Sequence, residues 1–359
     1  MDIVLELFDT FLFDPVYATV LPANSTSPVA QYVKSVATAT FSSVREGSTG
    51  APQQPQQWVY EPSTRFFSVQ PYHWAYESSL PRDNIYRQFL TLFLITWIFG
   101  NVLYFVCSGL SYWLVFDKSA FQHPKFLKDQ VKLEIRQALW GMSGMAFLTA
   151  PCFLLDVRGY AKLYDHPDEA PFWLYNFLQF PFFLLFTDMC IYFLHRGLHH
   201  PAVYKWLHKP HHKWIMPTPF ASHAFHPLDG FIQSIPYHLY PFLFPLQKFA
   251  YVGLFVVVNI WTVMIHDGEY LADSPVLNGA ACHTMHHLYF NYNYGQYTTL
   301  WDRLGGSYRR PNEELFRRET KMGQKEWQRQ AKEMENVLKE VEGDDDRSYE
   351  AQKIAKKVT

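Results

Sequence analysis

The chain has 359 residues, of which 18% are aromatic and only 18% are charged, and its formal net charge is −2. This length could form two soluble domains, but the apolar residues are clustered in long blocks, which argues against that arrangement. The near-neutral charge does not imply nucleic acid as a partner. The four cysteines include no CxxC pair, so neither a disulfide framework nor a zinc–thiolate site is indicated.

Residues 1–88 are predicted to form a lumenal N-terminal segment that is partly disordered. Residues 1–21 alternate acidic and apolar side chains, which suggests a segment lying along a membrane surface rather than an ordinary signal peptide. Residues 23–63 are rich in Ser, Thr, Pro and Gln, as is typical of weakly ordered chain. Asn24 begins a glycosylation sequon, which could be used only on the lumenal side.

Three apolar blocks, residues 89–116, 139–155 and 172–194, are each near the roughly 20 residues that cross the hydrocarbon core of a bilayer. They predict transmembrane helices over 89–194, with buried core helices of a soluble protein as the alternative. A fourth block, residues 230–265, is too long for one span and contains Pro236, Pro241 and Pro245. It predicts a proline-broken hairpin that enters the membrane and returns.

The distribution of charged residues between these blocks predicts the orientation. The loop after the first block carries five basic residues, whereas the next carries two, beside three acidic residues. Because cytosolic loops are enriched in Lys and Arg, the first loop should be cytosolic and the N-terminus lumenal. In the histidine-box region over 195–310, the histidine clusters then lie on the cytosolic side, and the hairpin between them enters the membrane and returns. The predicted fold class is an all-α integral membrane protein with about four transmembrane elements and a cytosolic helical domain.

Residues 311–359 form a charged tail that is predicted to be cytosolic. Within it, apolar residues at helical spacing (Trp327, Ala331, Met334, Leu338 and Val341) predict an amphipathic helix packed on the cytosolic domain. Near the end, Lys356 and Lys357 resemble the dilysine retrieval signal of endoplasmic reticulum membrane proteins. The expected location is therefore the endoplasmic reticulum membrane, as a multi-pass protein with a cytosolic site.

Three histidine clusters carry the chemical signal. The first has an H-x3-H spacing, which places two imidazoles on one face of a helix, and the other two share the spacing H-x-x-H-H. Neutral imidazole is a common metal ligand, and these eight exceed what one ion needs, so two metal ions are implied. Two nearby histidines, His226 and His266, are added as ligands. The predicted ligands are His195, His199, His208, His211, His212, His226, His266, His283, His286 and His287.

Other residues near these clusters have weaker assignments. Asp188 precedes His195 by two helical turns, and a carboxylate within an apolar span requires a partner, so it is predicted to orient a ligand imidazole. Asp229 and Asp267 could do the same or could cap helices. The roles of His200 and His223 stay open. The remaining histidines are interpreted as structural or surface residues: His73, His123, His166 and His238.

The order H-x3-H, H-x2-HH, H-x2-HH after membrane spans resembles the fatty acid hydroxylase superfamily of membrane di-iron enzymes, over about residues 176–310. Within it, the runs 218–230 (TPFASHAFHPLDG), 265–268 (IHDG) and 291–296 (NYNYGQ) are similar to sterol C5-desaturases, those of fungi in particular. Other members of the superfamily, the hydroxylases and methyl oxidases, share the histidine spacing and are the nearest alternative.

The resemblance implies that two hydrogens are removed from C5 and C6 of a Δ7-sterol in ergosterol-type biosynthesis, with two iron ions and O2. Electrons would come from cytochrome b5 and its NAD(P)H-dependent reductase, and Lys205, Lys209 and Lys213 are candidate docking residues or membrane-surface contacts. Iron fits because zinc has no redox chemistry. No catalytic acid or base beyond the metal ligands is expected. A metal transporter is the alternative from another class, but transporters tend to bind ions near mid-membrane.

Overall fold

Long helices dominate the computed structural model, which describes residues 1–23, 58–269, 274–313, 323–341 and 347. Two short parallel strands, β1 (Leu163–Tyr164) and β2 (Leu246–Gln247), are also present. The helices are α1 (Asp2–Phe8), α2 (Asp14–Val20), α3 (Ile85–Leu114), α4 (Gln130–Val157), α5 (Tyr175–Leu198), α6 (Pro201–Leu207), α7 (Lys209–His212), α8 (Pro227–Leu243), α9 (Lys248–Met264), α10 (Ala280–Tyr289), α11 (Leu300–Leu304) and α12 (Gln324–Val341).

Helices α3, α4 and α5 confirm the first three apolar blocks as helices, and each is long and apolar enough to cross a membrane. Helices α3 and α4 begin earlier than their apolar blocks because polar residues start each helix, whereas α5 begins three residues after the start of its block. The Asn84 side chain accepts hydrogen bonds from the first turn of α3. Large side chains such as Trp97, Val102 and Phe105 are exposed along α3. This surface is unfavourable in water and favourable in hydrocarbon, which supports the membrane fold over the soluble alternative.

The fourth apolar block forms two helices, α8 and α9, joined by a short turn, as predicted. Pro236 and Pro241 lie inside α8, and Pro245 lies in the turn. There β2 pairs with β1, which lies in the connection between α4 and α5, so the hairpin tip is at the end of the bundle opposite His195. Helix α8 packs against α4 and α5, whereas α9 packs against α3. The two arms of the hairpin therefore diverge and leave space between them.

The N-terminal segment, predicted to lie along a membrane surface, is held to the protein by buried ion pairs. Arg87 of α3 donates to Asp9 at 3.1 Å and also to Asp14, and Arg82 donates to Asp14 at 3.0 Å through Nε. All four side chains are buried. The opposite side of the segment exposes apolar residues, including Phe11. The N-terminal segment is therefore anchored to α3 and presents a hydrophobic outer surface.

The amphipathic helix predicted in the charged tail is confirmed as α12. Trp327, Ala331, Met334 and Leu338 are buried, and α12 packs against α10, which carries the third histidine cluster. A polar contact also holds α12: Arg309, which follows α11 in the chain, donates to the Glu333 carboxylate at 2.6 Å. The sequon at 24–26 and the two terminal lysines lie outside the described residues.

Replacing Arg87 tests whether the N-terminal ion pairs stabilise the bundle. We expect Arg87→Leu to cost roughly 3–5 kcal/mol, because it leaves Asp9 without its partner and Asp14 with Arg82 alone, both in a buried environment. The measurement is the thermal unfolding midpoint of the detergent-solubilised protein. Arg136→Leu, at an exposed position of α4, is the matched control and should change the midpoint little. Equal midpoints for the two variants would contradict a stabilising role for the ion pairs.

Candidate metal centre

Four parts of the chain bring histidines to one end of the helical bundle. His195 lies in the last turn of α5 and His199 caps its C-terminus, so a single helical turn separates them. His208 precedes α7, which ends with His211 and His212. His266 follows α9, and α10 carries His283, His286 and His287. The helical spacing read from the sequence thus sets the local direction of each imidazole.

These histidines form two groups among the described residues, in each of which the candidate ligand atoms lie within 4.8 Å of one another. In both H-x-x-H-H motifs, the first and last histidines point into one group and the middle histidine points into the other. This division was not readable from the spacing. The five-histidine group contains His195, His199, His208, His212 and His286, and the four-histidine group contains His211, His266, His283 and His287.

The two groups are neighbours. The His212 and His287 ring centroids, one from each group, are 5.0 Å apart, and those of His208 and His211 are 5.5 Å apart. Two ions held in these groups would therefore lie side by side.

The distances between imidazole nitrogens fit metal coordination. The Nε2 atoms of His195 and His208 are 3.1 Å apart, and those of His212 and His286 are 3.0 Å apart. In the four-histidine group, the Nε2 atoms of His266 and His283 are 3.0 Å apart. Ligands about 2.1 Å from a metal and at right angles to each other have nitrogens about 3 Å apart. The spacing within both groups matches this geometry.

Hydrogen bonds at the other ring nitrogen fix the tautomers. His195 Nδ1 lies 3.0 Å from the Tyr294 carbonyl oxygen, and His208 Nδ1 lies 2.8 Å from an Asp229 carboxylate oxygen. Neither oxygen has a hydrogen to donate, so each Nδ1 is the donor and each neutral ring presents a lone pair at Nε2. Two lone pairs that face each other at 3.1 Å repel. A cation between them removes this repulsion, so the donor set fits a metal ion.

The same arrangement recurs in the rest of the site. His286 Nδ1 donates to the Tyr292 carbonyl at 2.7 Å, and His266 Nδ1 donates to the Thr262 carbonyl at 2.7 Å. Burial lowers the pKa of His286 to about 3 and holds the pKa of His212 and of His283 well below the usual range. The rings are therefore neutral at physiological pH, which is the form that binds metals.

A compact loop over residues 291–299 supplies two of these carbonyl groups, those of Tyr292 and Tyr294, and buried carboxylates hold it. Asp302 accepts from the backbone N–H of Tyr294 at 2.9 Å and of Gly295 at 2.8 Å. Gly295 is tightly enclosed, because a Cβ there would lie 2.5 Å from the Thr298 carbonyl oxygen. The NYNYGQ run that resembles sterol C5-desaturases thus has a structural task, which is to aim carbonyl oxygens at ligand histidines.

Asp188 does not contact an imidazole, contrary to the sequence-based expectation. Its carboxylate accepts hydrogen bonds from the backbone N–H groups of Gln296, Tyr297 and Thr298 at 2.9, 2.7 and 3.2 Å. Three backbone donors satisfy the buried charge, so no histidine partner is needed. Asp188 acts on the site only through the loop that carries Tyr294. The carboxylate that orients a ligand directly is Asp229, for which the sequence left ligand orientation and helix capping open.

His226 lies outside both groups, so the expectation that it is a ligand does not fit the structure. Its Nδ1 accepts from the Leu228 N–H at the start of α8, and its ring packs against Trp140. Proximity in sequence suggested a ligand, but the ring occupies the N-cap position of α8, where it accepts from the backbone.

Other histidines whose roles were open or assigned as structural are also outside the two groups. His200 caps α6, and its side chain is exposed. His123 is buried and accepts from the Lys125 N–H. His223 and His238 are buried and line a cavity beside the site.

That cavity lies between α8 and α9, with α3 and α4 forming further walls, and the open space there, including the part continuous with the surroundings, is about 1230 Å³. Its lining is mainly apolar, and one end reaches four candidate metal ligands: His195, His211, His266 and His283. Both groups of histidines therefore border the same cavity. A mainly apolar pocket with a few polar groups is typical of a site for a hydrophobic small molecule.

Comparison with known proteins agrees with this arrangement. The model of the fatty acid hydroxylase family matches residues 180–307, the part that holds most of the histidines. The chain is 61% identical over 358 residues to a Delta(7)-sterol 5(6)-desaturase of Leptosphaeria maculans, with 100% of both chains covered. The chain belongs to the Delta(7)-sterol 5(6)-desaturase family.

Two further members of this family support the assignment. The chain is 62% identical over 357 residues to an Aspergillus fumigatus Delta(7)-sterol 5(6)-desaturase, with 99% of each chain covered. It is 48% identical over 385 residues to the Candida albicans enzyme of that name, covering 97% of this chain and 99% of the relative. No solved structure matches the chain.

The hydrogen bond from His208 to Asp229 can be tested directly. We expect Asp229→Asn to lower metal affinity about 10- to 100-fold, because the carboxylate fixes the tautomer and orientation of a ligand ring. Metal content per chain is measured after dialysis against graded concentrations of a chelator. The matched control is Asp168→Asn, since Asp168 lies 3.6 Å from His166 in an exposed carboxylate–histidine pair. An unchanged chelator profile for Asp229→Asn would contradict an orienting role.

The separation of His226 from the ligands gives a second prediction. We expect His226→Ala to keep the wild-type metal content, because that ring lies outside both groups. His212→Ala should lose metal from the five-histidine group, because it removes a nitrogen 3.0 Å from another ligand nitrogen. Elemental analysis of the purified variants distinguishes them. Equal loss of metal in both would restore His226 as a ligand.

Proposed function

We propose that this protein introduces the C5–C6 double bond into a Δ7-sterol, using two iron ions held by the nine histidines of the two groups. The observation that carries the proposal is that both all-imidazole groups border one large apolar cavity. Three family members carry the name of this reaction, and we extend it to this chain. The nine proposed ligands exclude His226, for the structural reason given above.

Iron fits the donor set for a chemical reason. Imidazole ligands suit several transition metals, but removal of hydrogen from unactivated carbon requires a redox-active metal that can use O2. Reduction of one O2 to two waters takes four electrons. The two C–H bonds of the sterol supply two of these, and an external donor must supply the other two. Iron would supply this redox chemistry when bound.

The residues of the chain have three tasks in this reaction. The histidines, held by Asp229 and by the carbonyls of Tyr292 and Tyr294, keep their Nε2 lone pairs directed at the ions. The apolar walls of α8 and α9 bind the flat, hydrophobic sterol and exclude water. Exclusion of water protects a strong oxidant from side reactions. Candidate ligands of both groups reach the cavity wall, so a sterol bound in the cavity would have its reacting carbons beside both ions.

We further propose that cytochrome b5, supplied by its NAD(P)H-dependent reductase, is the electron donor and that it docks near α6. Lys205 of α6 is exposed, and so is the adjacent Trp206. A basic residue beside an exposed aromatic side chain suits an acidic electron carrier. The proposed location is the endoplasmic reticulum membrane with the histidines on the cytosolic side, in keeping with the basic connection between α3 and α4.

Expression in a yeast strain that lacks sterol C5-desaturation tests the proposal. We expect the wild-type chain to restore 5,7-diene sterols and His286→Ala to fail, because that variant removes a ligand of the five-histidine group. Sterol profiles are measured by mass spectrometry, and elemental analysis should find two irons per purified chain. Absence of the diene would contradict the proposal, and a hydroxylated sterol would instead favour the hydroxylases of the same superfamily. Metal loading without oxygen-dependent turnover would favour a metal carrier.

A further inference from the structure

A polar pair lies in the mainly apolar wall of the cavity. His223 Nε2 lies 3.2 Å from Asn259 Oδ1, and Ser222 Oγ lies 3.1 Å from His223 Nδ1; all three residues line the cavity. Burial lowers the pKa of His223 to about 4, so its ring is neutral. In a consistent set of hydrogen bonds, Ser222 donates to Nδ1 and Nε2 donates to Asn259. The His223–Asn259 pair is therefore neutral and fixed in orientation.

Asn259 keeps hydrogen-bonding capacity after these contacts. One hydrogen of Nδ2 is donated to the Phe255 carbonyl at 2.7 Å, and Oδ1 accepts from His223. A primary amide has two N–H donors and two acceptor lone pairs, so one donor and one acceptor of Asn259 remain. The side chain is half-buried and lines the cavity. A hydroxyl group can donate one hydrogen bond and accept others, so it complements the unused donor and acceptor of Asn259.

The pair lies next to the four-histidine group. The ring centroids of His223 and Phe225 are 6.0 Å apart, and those of Phe225 and His211 are 6.1 Å apart, so one phenyl ring separates the pair from a proposed ligand. Asn259 precedes His266 by seven residues, about 10 Å along α9. A group bound at Asn259 is thus close to the histidines without reaching a metal itself.

We propose that Asn259, held by His223, binds the ring hydroxyl of the sterol and so positions C5 and C6 beside the metal ions. This proposal rests on the proposed function. In a Δ7-sterol the hydroxyl is on C3, in the same ring as C5, so it must lie near the metals when C5 reacts. The remaining rings and the side chain then extend between α8 and α9, where Met145, Phe255 and Val258 form an apolar wall.

Other polar groups of the cavity fit this task less well. The Ser234 and Thr262 hydroxyls donate to carbonyls of their own helices, and the Gln233 amide donates to Asp229, which orients a ligand. Thr149 also lines the cavity, but it lies eight residues beyond Gly141 of α4, where the His223 backbone packs, which is about 12 Å along that helix. A hydroxyl held there would place C5 far from the metals.

A comparison of substrates with and without the hydroxyl separates recognition from stability. The full-length protein is assayed with its electron donor on a Δ7-sterol and on its 3-deoxy analogue, and kcat/KM is measured for each. We expect wild type to prefer the hydroxylated sterol by about tenfold or more, because the analogue leaves the Asn259 amide unpaired. Asn259→Leu should lower this preference to about one, with turnover of the deoxy analogue close to wild type.

Thr149→Val is the matched control and should keep the wild-type preference, because it removes a cavity-lining hydroxyl away from the histidines. If leucine prevents accumulation, Asn259→Thr must lower the same ratio, since its shorter side chain cannot reach as far. An unchanged ratio in the Asn259 variants, or equal loss on both sterols, would overturn the proposal. A lowered ratio in Thr149→Val would indicate that the sterol hydroxyl binds at Thr149 of α4 instead of at Asn259. Absence of diene from wild type with either sterol would overturn the proposed function as well.

Discussion

Repulsion between buried imidazole lone pairs is the constraint on which this structure depends. His195 and His208 each donate Nδ1–H to an oxygen, so their Nε2 lone pairs face each other at 3.1 Å. Such a contact is unfavourable in a buried environment unless a cation lies between the nitrogens. In the second group, His266 donates Nδ1–H to the Thr262 carbonyl, so its Nε2 lone pair faces His283 Nε2 at 3.0 Å. The arrangement of these rings is compatible with a metal site.

The elements around the histidines supply hydrogen-bond acceptors in fixed positions. Asp302 and Asp188 each hold part of the loop over residues 291–299, and that loop directs the Tyr292 and Tyr294 carbonyls at ligand rings. These carboxylates are buried, and backbone N–H groups satisfy them. The loop therefore works as a rigid frame for the ligands although it contains no regular secondary structure. Helix α12 covers α10 from the other side and completes the support.

The divergence of α8 and α9 connects the membrane helices with the candidate metal ligands. Because each arm packs against different neighbours, the hairpin leaves an apolar cavity that ends at the histidines. The His223–Asn259 pair adds a polar contact near the histidines in this mainly apolar cavity, which suits a molecule that is apolar except for one hydroxyl.

Much of this protein could be predicted from the sequence because its signals are local. The apolar blocks that became α3, α4 and α5 are set by side-chain composition, and the H-x-x-H-H spacing is set by helical geometry. The same local periodicity located α12. These features require no knowledge of distant contacts, because each depends only on neighbours within one or two helical turns.

Only the tertiary structure decided which histidines meet and what orients them. His226 and His266 looked equivalent in the sequence, but capping of α8 turns the first away, whereas the end of α9 brings the second to His283. Asp188 was predicted to orient a ligand, and Asp229 was left open between that role and helix capping. Backbone donors from a distant loop satisfy Asp188, whereas the fold places Asp229 at His208. Each outcome depends on contacts between segments far apart in the chain, and spacing along one segment carries no information about them.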